Sequence, residues 1–333
     1  MTSFDGPMAV HSTHDLLVVL PHLIGYHPAD SLVCAAFDKG WLRATIRLDL
    51  MDDPEDLATA VAVVRSTLAQ HQISTAVLVG YGDRDRVTAA VAPTAAALAG
   101  IGVETMLIAH VHDGYGSVMD RHGTYLDDIP LNPDGNAAIA AAVMHGWVAR
   151  SSRAAVANLV APVTGAERDA MDRADHAARS QLLDLHRTVL AGEPPVPVIV
   201  LERTVRDAGA AAVRDARRAA TDGARPADAD IAWLALLLQR TDVRDEAIRG
   251  CDGSPAELRL WTDVTRRAEP SLAPAPACLL ALNAYLAGDD MLAIVGIERA
   301  LRSNPEHRLA RLIAAAQATG LDRDTLRRLV TTR

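Results

Sequence analysis

Strand and helix patterns alternate along the first part of the chain, and this alternation constrains the fold more than any other feature. Residues 75–80 form a short, unbroken apolar run, which is typical of a strand buried on both faces of a sheet. Helical patterns cover residues 54–70 and 85–99, and another strand pattern covers 104–110. We therefore predict an α/β domain over residues 1–133, with a mixed parallel sheet and flanking helices.

The pattern changes to helices alone after residue 134. Alanine-rich segments predict a helical connecting region over residues 134–225, and shorter helices predict a third domain over residues 226–333. Within that domain, residues 276–287 and 290–303 resemble a tetratricopeptide unit, because small residues occupy the crossing points and a proline ends the second helix. We therefore expect an all-α, helical-repeat-like C-terminal region.

The charge and the cysteines limit the classes of protein. The formal net charge is −9, so phosphate backbones and anionic membrane surfaces would repel the chain, and we expect no nucleic-acid or membrane partner. No leader pattern and no apolar run of membrane-spanning length occurs, which favours a cytoplasmic protein. Cys34, Cys251 and Cys278 stand singly in apolar sequence and are predicted to be buried free thiols.

One arginine-rich segment could contradict the prediction that nucleic acids are excluded. Acidic residues interleave with its arginines, so we interpret the segment as the solvated face of a helix. The arginines concerned are Arg203, Arg206, Arg214, Arg217 and Arg218.

Residues 15–50 contain the densest group of unusual residues in the chain. A short apolar helix leads to a Gly-Tyr-His-Pro turn at 25–28, and two strand patterns follow, joined by a predicted three-residue loop at 38–40. If Phe37 faces Trp41, the antiparallel register places Ser31 opposite Arg47. This register also groups five apolar residues of the second strand on one face, namely Leu42, Ala44, Ile46, Leu48 and Leu50.

The hairpin therefore predicts a first candidate ligand site, made of residues that the register brings to one end. A histidine, a carboxylate and a hydroxyl beside an arginine could bind a small anion or support acid–base chemistry. The alternative is structural, with Asp30 capping the turn and Arg47 paired with Asp49. A Ser–His–Asp triad is not favoured, because no nucleophile elbow surrounds Ser31. The candidate residues are Tyr26, His27, Asp30, Ser31, Arg47 and Asp49.

A second, weaker candidate is a metal site formed by His110, His112 and His122, with Asp113 and Asp120 as possible oxygen ligands. Alternate strand positions share a face, and ligands bind at the carboxyl ends of parallel strands. Two histidines and a carboxylate could hold a divalent metal. The competing interpretation is that these histidines are exposed loop residues.

The glycine-rich segment at residues 80–83 is a third candidate, for a nucleotide loop. It lacks the third glycine of the dinucleotide fingerprint, since Asp85 stands there, and no Walker lysine follows. The segment is therefore more typical of a turn between a strand and a helix.

Several motifs carry a resemblance to a known family. The opening one is Leu16-Leu-x-x-x-Pro21-x-Leu-x-Gly25-Tyr-x-Pro28-x-Asp30-Ser31-Leu-Val, and Arg47-x-Asp49-Leu50 follows it. The further matching residues are Gly146, Ser152-Arg153, Leu260-Trp261 and the segments 281–305 and 309–312. On these residues the chain resembles, over nearly its whole length, the actinobacterial domain-of-unknown-function family 4192.

The resemblance implies an α/β front, a helical back and a cytoplasmic location, but no activity, substrate or cofactor. Many members carry cysteines between the last strand and the first alanine-rich helix. Residues 116–133 contain none here, so any property that depends on those cysteines is not expected in this chain.

Two hypotheses about function follow. The first is a non-catalytic protein-interaction or regulatory module whose protein partner binds the C-terminal helices, because no complete catalytic set is evident. The alternative is a small-anion- or nucleotide-binding enzyme, hydrolase-like, that uses the Asp30, Ser31, Arg47 and Asp49 corner. The sequence identifies no cofactor for either.

Overall fold

The computed structural model describes residues 12–69, 73–120, 122–144, 147–191, 197–318, 321 and 323–331. The chain divides into two compact units, Met1–Arg153 and Ala154–Arg333. The first unit is α/β and the second is helical, so the predicted α/β architecture followed by helices is confirmed.

The first unit is built around one sheet of six strands. In chain order these are β1 (Ser31–Asp38), β2 (Trp41–Asp49), β3 (Thr75–Tyr81), β4 (Glu104–His112), β5 (Tyr115–Val118) and β6 (Ile129–Pro130). Their order in the sheet is β2-β1-β3-β4-β5-β6. Only β3 and β4 pair in parallel and the other neighbours are antiparallel, so the sheet is mixed, as predicted.

Helices cover both faces of this sheet. The helices of this unit are α1 (Thr13–Ile24), α2 (Pro54–Ala69), α3 (Arg84–Ala99) and α4 (Ala137–Met144), and the first three pack on the sheet. Leu32 and Leu78 pack with residues of α2 and α3 on one face, and Val33 and Val79 pack with residues of α1 on the other. Ala138 and Ala142 of α4 pack against Val19 of α1, so α4 belongs to the first unit.

The β1–β2 hairpin differs from the predicted register by two residues. Lys39 and Gly40 alone form the loop, with φ values of 50° and 82°, which is typical of a type I′ turn. A bulge between Ala36 and Phe37 adds a second shift of one residue. Ser31 therefore pairs with Asp49, and the predicted pairing with Arg47 is wrong.

The shift at the loop and the shift at the bulge add up to two residues, so residues beyond the bulge keep the faces of the sheet that were predicted for them. Side chains alternate along a strand, so Ser31 and Arg47 still share one face. The bulge does change Leu42, which packs with Phe37 on the α1 face, while Ala44, Ile46 and Leu48 pack on the opposite face. The predicted grouping of Leu42 with those residues is therefore wrong.

The chain from residue 153 onward is helical, as predicted. Its helices are α5 (Arg153–Asn158), α6 (Ala166–Leu190), α7 (Val198–Thr221), α8 (Asp228–Leu237), α9 (Thr241–Arg249), α10 (Pro255–Arg267), α11 (Pro274–Ala287), α12 (Asp290–Ser303), α13 (Arg308–Ala318) and α14 (Arg323–Thr331). α11 and α12 approach closely, since a β-carbon on Gly296 would lie 3.3 Å from Ala281 Cβ. The helical region is thus confirmed, whereas its tetratricopeptide-like repetition stays a prediction.

Two further expectations concern burial and membranes. Cys34, Cys251 and Cys278 are buried free thiols, as predicted. Among the described residues, no helix is long and apolar enough to cross a membrane.

Candidate functional site

Three segments that are separate in the sequence meet at one edge of the sheet. The parallel strands β3 and β4 end there, at Tyr81 and His112. Because β1 is antiparallel to β3, it begins there, and Ser31 pairs with Tyr81 on one side and with Asp49 on the other. The hairpin corner, the histidine-bearing strand and the glycine turn therefore form one region, at the carboxyl ends of the parallel strands, where ligands bind in open α/β sheets.

A cleft of about 410 Å³ opens in this region and is called the edge cleft below. Leu17, Val18 and Pro21 of α1 supply part of its apolar lining. Its titratable lining residues are His27, Asp30, Tyr81, His112 and Asp113, and no lysine or arginine among the described residues lines it. The edge cleft therefore combines apolar walls with two carboxylates.

The two carboxylates stand on backbone that L-residues rarely adopt. Asp30 has a φ of 42° and Asp113 has a φ of 47°; among the described non-glycine residues only Lys39 shares this property. Such conformations cost about 1–3 kcal/mol and cluster at functional sites. The two side chains are 71% and 83% exposed, so they stand at the mouth of the edge cleft.

Gly82 allows the close packing beneath Asp30. Its φ is 110°, and a β-carbon there would lie 2.7 Å from Asp30 Oδ1. Its carbonyl oxygen lies 2.7 Å from His110 Nε2. Gly82 thus contacts both Asp30, which precedes β1, and His110 on β4. The glycine-rich segment is the turn between β3 and α3 rather than a phosphate loop.

His110 is buried, so its interpretation as an exposed loop histidine is wrong. Because the Gly82 carbonyl can only accept, His110 Nε2 donates to it, and Nδ1 accepts from Arg84 Nε at 3.4 Å. Both ring nitrogens are therefore engaged by the protein. His112 is exposed, and its Nε2 lies 3.1 Å from the Asp113 carboxylate.

The predicted metal ligands do not form a cluster in the described part of the chain. No group of three or more histidine, cysteine, aspartate or glutamate residues that could hold a metal ion occurs there. The backbone N–H of His122 donates to Asp120 Oδ1 at 2.9 Å, and this hydrogen bond belongs to a local turn.

A polar network around Arg84 was missed by the sequence analysis. Arg84 donates to Asp128 Oδ1 at 3.0 Å and to Ser117 Oγ at 3.3 Å, and its guanidinium lies 5.1 Å from the ring centre of Tyr125. The antiparallel pairing of β5 with β4 creates this network, because it places Ser117 opposite His110. Residue spacing alone carries no signal for such a non-local contact.

Two buried hydroxyl groups on the α1 face lack partners. Ser31 and Tyr81 are fully or almost fully buried, and neither hydroxyl has a hydrogen-bond partner within the described residues. Burial raises the pKa of Tyr81, so the phenol stays protonated. Buried polar groups are rarely left unpaired, and Tyr81 is one of the residues that line the edge cleft, where its hydroxyl oxygen is itself covered.

Arg47, Asp49 and Tyr26 lie apart from this lining. Arg47 Nη2 forms an ion pair with Asp49, as the structural interpretation predicted, and none of the three lines the edge cleft. Burial raises the pKa of Tyr26, while Arg47 nearby opposes that rise. The six predicted site residues thus divide: His27 and Asp30 line the cleft, Ser31 lies beside Tyr81 in the sheet, and the other three form a neighbouring cluster.

His27 adds a neutral polar group to the lining. Partial burial and the nearby His22 lower its pKa, so the ring is uncharged at neutral pH. The main chain at this position is held in place, because the His27 N–H donates to the Arg150 carbonyl at 2.8 Å.

Comparison with known proteins places the chain in a family. A family model described as Domain of unknown function (DUF4192) matches residues 14–323. The chain belongs to the DUF4192 family. This match confirms the family resemblance carried by the opening motif, and the DUF4192 description names no activity. No curated protein and no solved structure matches the chain.

The edge cleft of this DUF4192 chain mainly offers hydrogen-bond acceptors. Asp30 and Asp113 supply carboxylates at the mouth. A group that donates hydrogen bonds, and above all a cationic one, therefore suits this DUF4192 cleft better than an anion does.

Proposed function

We propose that the α/β unit binds a small organic ligand that carries an amine or another cationic donor group in the edge cleft. The observation that carries the proposal is the lining, which has two carboxylates at the mouth, apolar walls and, within the described part of the chain, no lysine or arginine. Binding pockets for small molecules are commonly apolar with a few placed polar groups, and 410 Å³ falls within their usual size range.

The buried Tyr81 hydroxyl supports the same proposal. Leaving a buried hydroxyl without a partner costs about 1–3 kcal/mol, and a ligand whose binding opened a path to this covered oxygen would recover part of that cost. The ligand would thus have a polar group near Tyr81 and a cationic group toward Asp30 and Asp113.

The anion-binding alternative is less well supported by the charges near the cleft. Arg47 is paired with Asp49, and Arg86 lies between two carboxylates, 2.8 Å from Asp52 and 3.8 Å from Asp30. An anion in the edge cleft would instead face the carboxylate of Asp30. We therefore favour a cationic ligand over the small anion or nucleotide expected from the sequence.

We propose that the edge cleft binds a ligand, and we propose no reaction on that ligand. A serine hydrolase needs a base beside its nucleophile, and the Ser31 hydroxyl has no hydrogen-bond partner in the described residues. Cys278 lies 3.6 Å from His307 Nδ1, but burial raises the pKa of this thiol to about 12, so the reactive thiolate is scarce.

A thermal-shift screen tests the proposal. We expect stabilisation by members of a panel of alkylamines, choline and basic amino acids, and none by inorganic phosphate, ATP or Mg²⁺. A ligand at 100 times its dissociation constant would stabilise the native state by about 2.7 kcal/mol. Stabilisation by ATP or phosphate that is lost in Arg47→Ala would contradict the proposal and favour the anion-binding alternative.

Variants of the cleft connect any stabilisation to this site. Asp30→Asn and Asp113→Asn remove the charges, and asparagine tolerates the left-handed backbone found at both positions. We expect each variant to weaken binding at least tenfold and Tyr81→Phe to weaken it less. Asp245→Asn, an exposed aspartate on α9, is the matched control and should leave affinity unchanged.

The interaction or regulatory role predicted for the C-terminal helices is a second proposal. Leu312 on α13 and Leu329 on α14 are exposed and offer apolar side chains at which this role can be tested. A Leu312→Ser/Leu329→Ser variant should lose a partner that the unchanged chain retains from native lysate. Retention of that partner would refute this role for the two leucines.

A further inference from the structure

We infer that the groove between α6, α7 and α8 of the helical unit is a docking site for a basic amphipathic helix of a partner protein. This inference does not depend on the edge cleft. This groove, the helix groove, has a volume of about 590 Å³. Three helices contribute to the groove. Asp184 and Leu185 come from α6, several alanines come from α7, and Trp233 comes from α8.

The α7 wall of the helix groove consists mainly of alanines. Ala208, Ala212 and Ala219 present only a methyl group each, so a second helix could approach the α7 backbone closely. From residue 208 to residue 219 the wall extends about 16 Å along the helix axis, or three turns. The groove therefore has the length and the shallow side chains that suit a short helix.

These alanines belong to a longer seam with heptad spacing. Its positions are separated alternately by three and four residues, which is the repeat of helices that pack side by side. The seam contains Val198, Leu201, Val205, Ala208, Ala212, Asp215 and Ala219. Val205 is buried and Val198 and Asp215 are exposed, while the other four are partly buried, so the seam keeps accessible surface within the described unit.

The start of α7 extends this accessible surface. Val198 and Ile199 are 66% and 62% exposed, and Val200 and Leu190 are exposed as well. Adjacent exposed apolar side chains at the tip of two helices are typical of protein contact sites. A docked helix that followed the seam beyond the groove would cover Val198.

The charge of the helix groove specifies the occupant. Among the described residues, the charged side chains that line the groove are Asp184, Asp215 and Asp230, one from each helix. The first two contact exposed arginines within their own helices, at 3.2 and 3.7 Å, and such exposed pairs are weak. Lysine or arginine side chains flanking an apolar stripe would meet these carboxylates, and the half-buried indole of Trp233 could pack against a cation.

A second copy of this chain fits the groove less well. Two copies packed through the same surface would bring their aspartates face to face, and each copy carries a net charge of −9. A nucleic acid would be repelled by the same carboxylates. The occupant that matches both the seam and the charge is therefore a basic helix of another protein.

Fluorescence anisotropy with two synthetic peptides tests the inference. Both are 21-residue helical peptides with alanine and leucine at heptad positions a and d. One carries lysine at e and g, and its twin carries glutamate there. We expect saturable binding of the lysine peptide to the full chain, at least tenfold tighter than binding of the glutamate twin. Equal affinities, or no saturable binding of the lysine peptide, would overturn the inference.

Variants locate the binding. Ala212→Arg should weaken binding of the lysine peptide at least tenfold by filling the groove, whereas Ala315→Arg, at an exposed alanine on α13, should not. Replacing Asp184, Asp215 and Asp230 by asparagine should also weaken it and reduce its salt dependence, and this variant alters only groove side chains that are not in the core. Unchanged affinity in both groove variants would overturn the inference.

Competing occupants give different results. Sedimentation equilibrium that showed a dimer of the chain, abolished by Ala212→Arg, would overturn the inference in favour of a second copy. Spermine is the probe for a small polycation. Saturable spermine binding that excess lysine peptide does not displace, and that is lost in the asparagine variant, would overturn the inference in favour of such a ligand.

Discussion

Gly82 lies so close to Asp30 that a β-carbon on the glycine would stand 2.7 Å from the carboxylate oxygen Oδ1. The contact joins the turn after β3 to the residue before β1, and both line the edge cleft. It thereby positions one of the two carboxylates on which the proposed ligand depends.

Gly82→Ala should destabilise the α/β unit by about 1–3 kcal/mol, because it combines the close contact with a φ of 110°. It should also abolish ligand stabilisation, since Asp30 would be displaced. Gly102→Ala is the control, because Gly102 also has a positive φ, but a β-carbon there would meet nothing within 4 Å. If urea titrations gave equal losses in the free energy of unfolding for both variants, the contact with Asp30 would contribute nothing to stability.

Gly80 and Val87 form a second contact that limits side-chain size. A β-carbon on Gly80 would lie 2.0 Å from Val87 Cγ1, and Val87 is fully buried on α3. We expect Gly80→Ala to cost about 1–3 kcal/mol through overpacking. In the double variant with Val87→Ala the added methyl group occupies vacated space, so the loss should fall short of the sum of the two single losses by about 1 kcal/mol. Additive losses in urea titrations would contradict this contact.

The helical unit contains a buried ion pair between Arg217 and Glu257. The arginine donates to both carboxylate oxygens, at 2.8 and 2.9 Å, and Trp261 Nε1 donates to the same carboxylate at 2.8 Å. Arg217→Met leaves a buried carboxylate without its counter-ion, so we expect a loss of about 3–5 kcal/mol. Arg187→Met, which breaks an exposed pair with Asp184, should cost less than about 1 kcal/mol. Similar losses in the two variants would show that burial of the pair is unimportant.

Local features of the fold were predictable from the sequence, and long-range pairings were not. The boundaries of β3, α3 and α12 follow from apolar runs and helix spacing to within one residue. The pairing of β1 with β3, which brings Ser31 beside Tyr81, depends on packing between residues far apart in the chain. The candidate site was consequently predicted as separate pieces.

Two details show why the remaining features were missed. The bulge after Ala36 is a tertiary adjustment of the sheet, so no count along the hairpin predicts it. Arg217 was interpreted as part of a solvated helix face, yet it lies against Glu257, forty residues later in the chain. Burial of a charged residue depends on its partner, and sequence spacing does not identify that partner.

His307 links the stability of the helical unit to pH. Its Nδ1 accepts from the Ala310 N–H at 3.3 Å at the start of α13, and it lies 3.6 Å from Cys278 Sγ. Burial and the nearby Arg244 lower the pKa of His307 below its ordinary value of about 6.5. The neutral ring is therefore favoured in the native state, and its contribution is fully present above about pH 6.5 and is lost as pH falls through the lowered pKa.

His307→Asn should remove this pH dependence while keeping the helix cap, because asparagine also accepts from the amide of the third helical residue. His307→Ala should instead lose about 0.5–2 kcal/mol at pH 8, where the histidine is neutral and caps the helix. The measurement is the free energy of unfolding in urea between pH 8 and pH 5 for the unchanged chain and both variants. Because Nδ1 cannot accept a hydrogen bond once it is protonated, and a cation at a helix N-terminus is unfavourable, the unchanged chain should lose more stability on acidification than His307→Asn. Parallel curves for these two proteins would mean that His307 keeps the same protonation preference in the folded and unfolded chain.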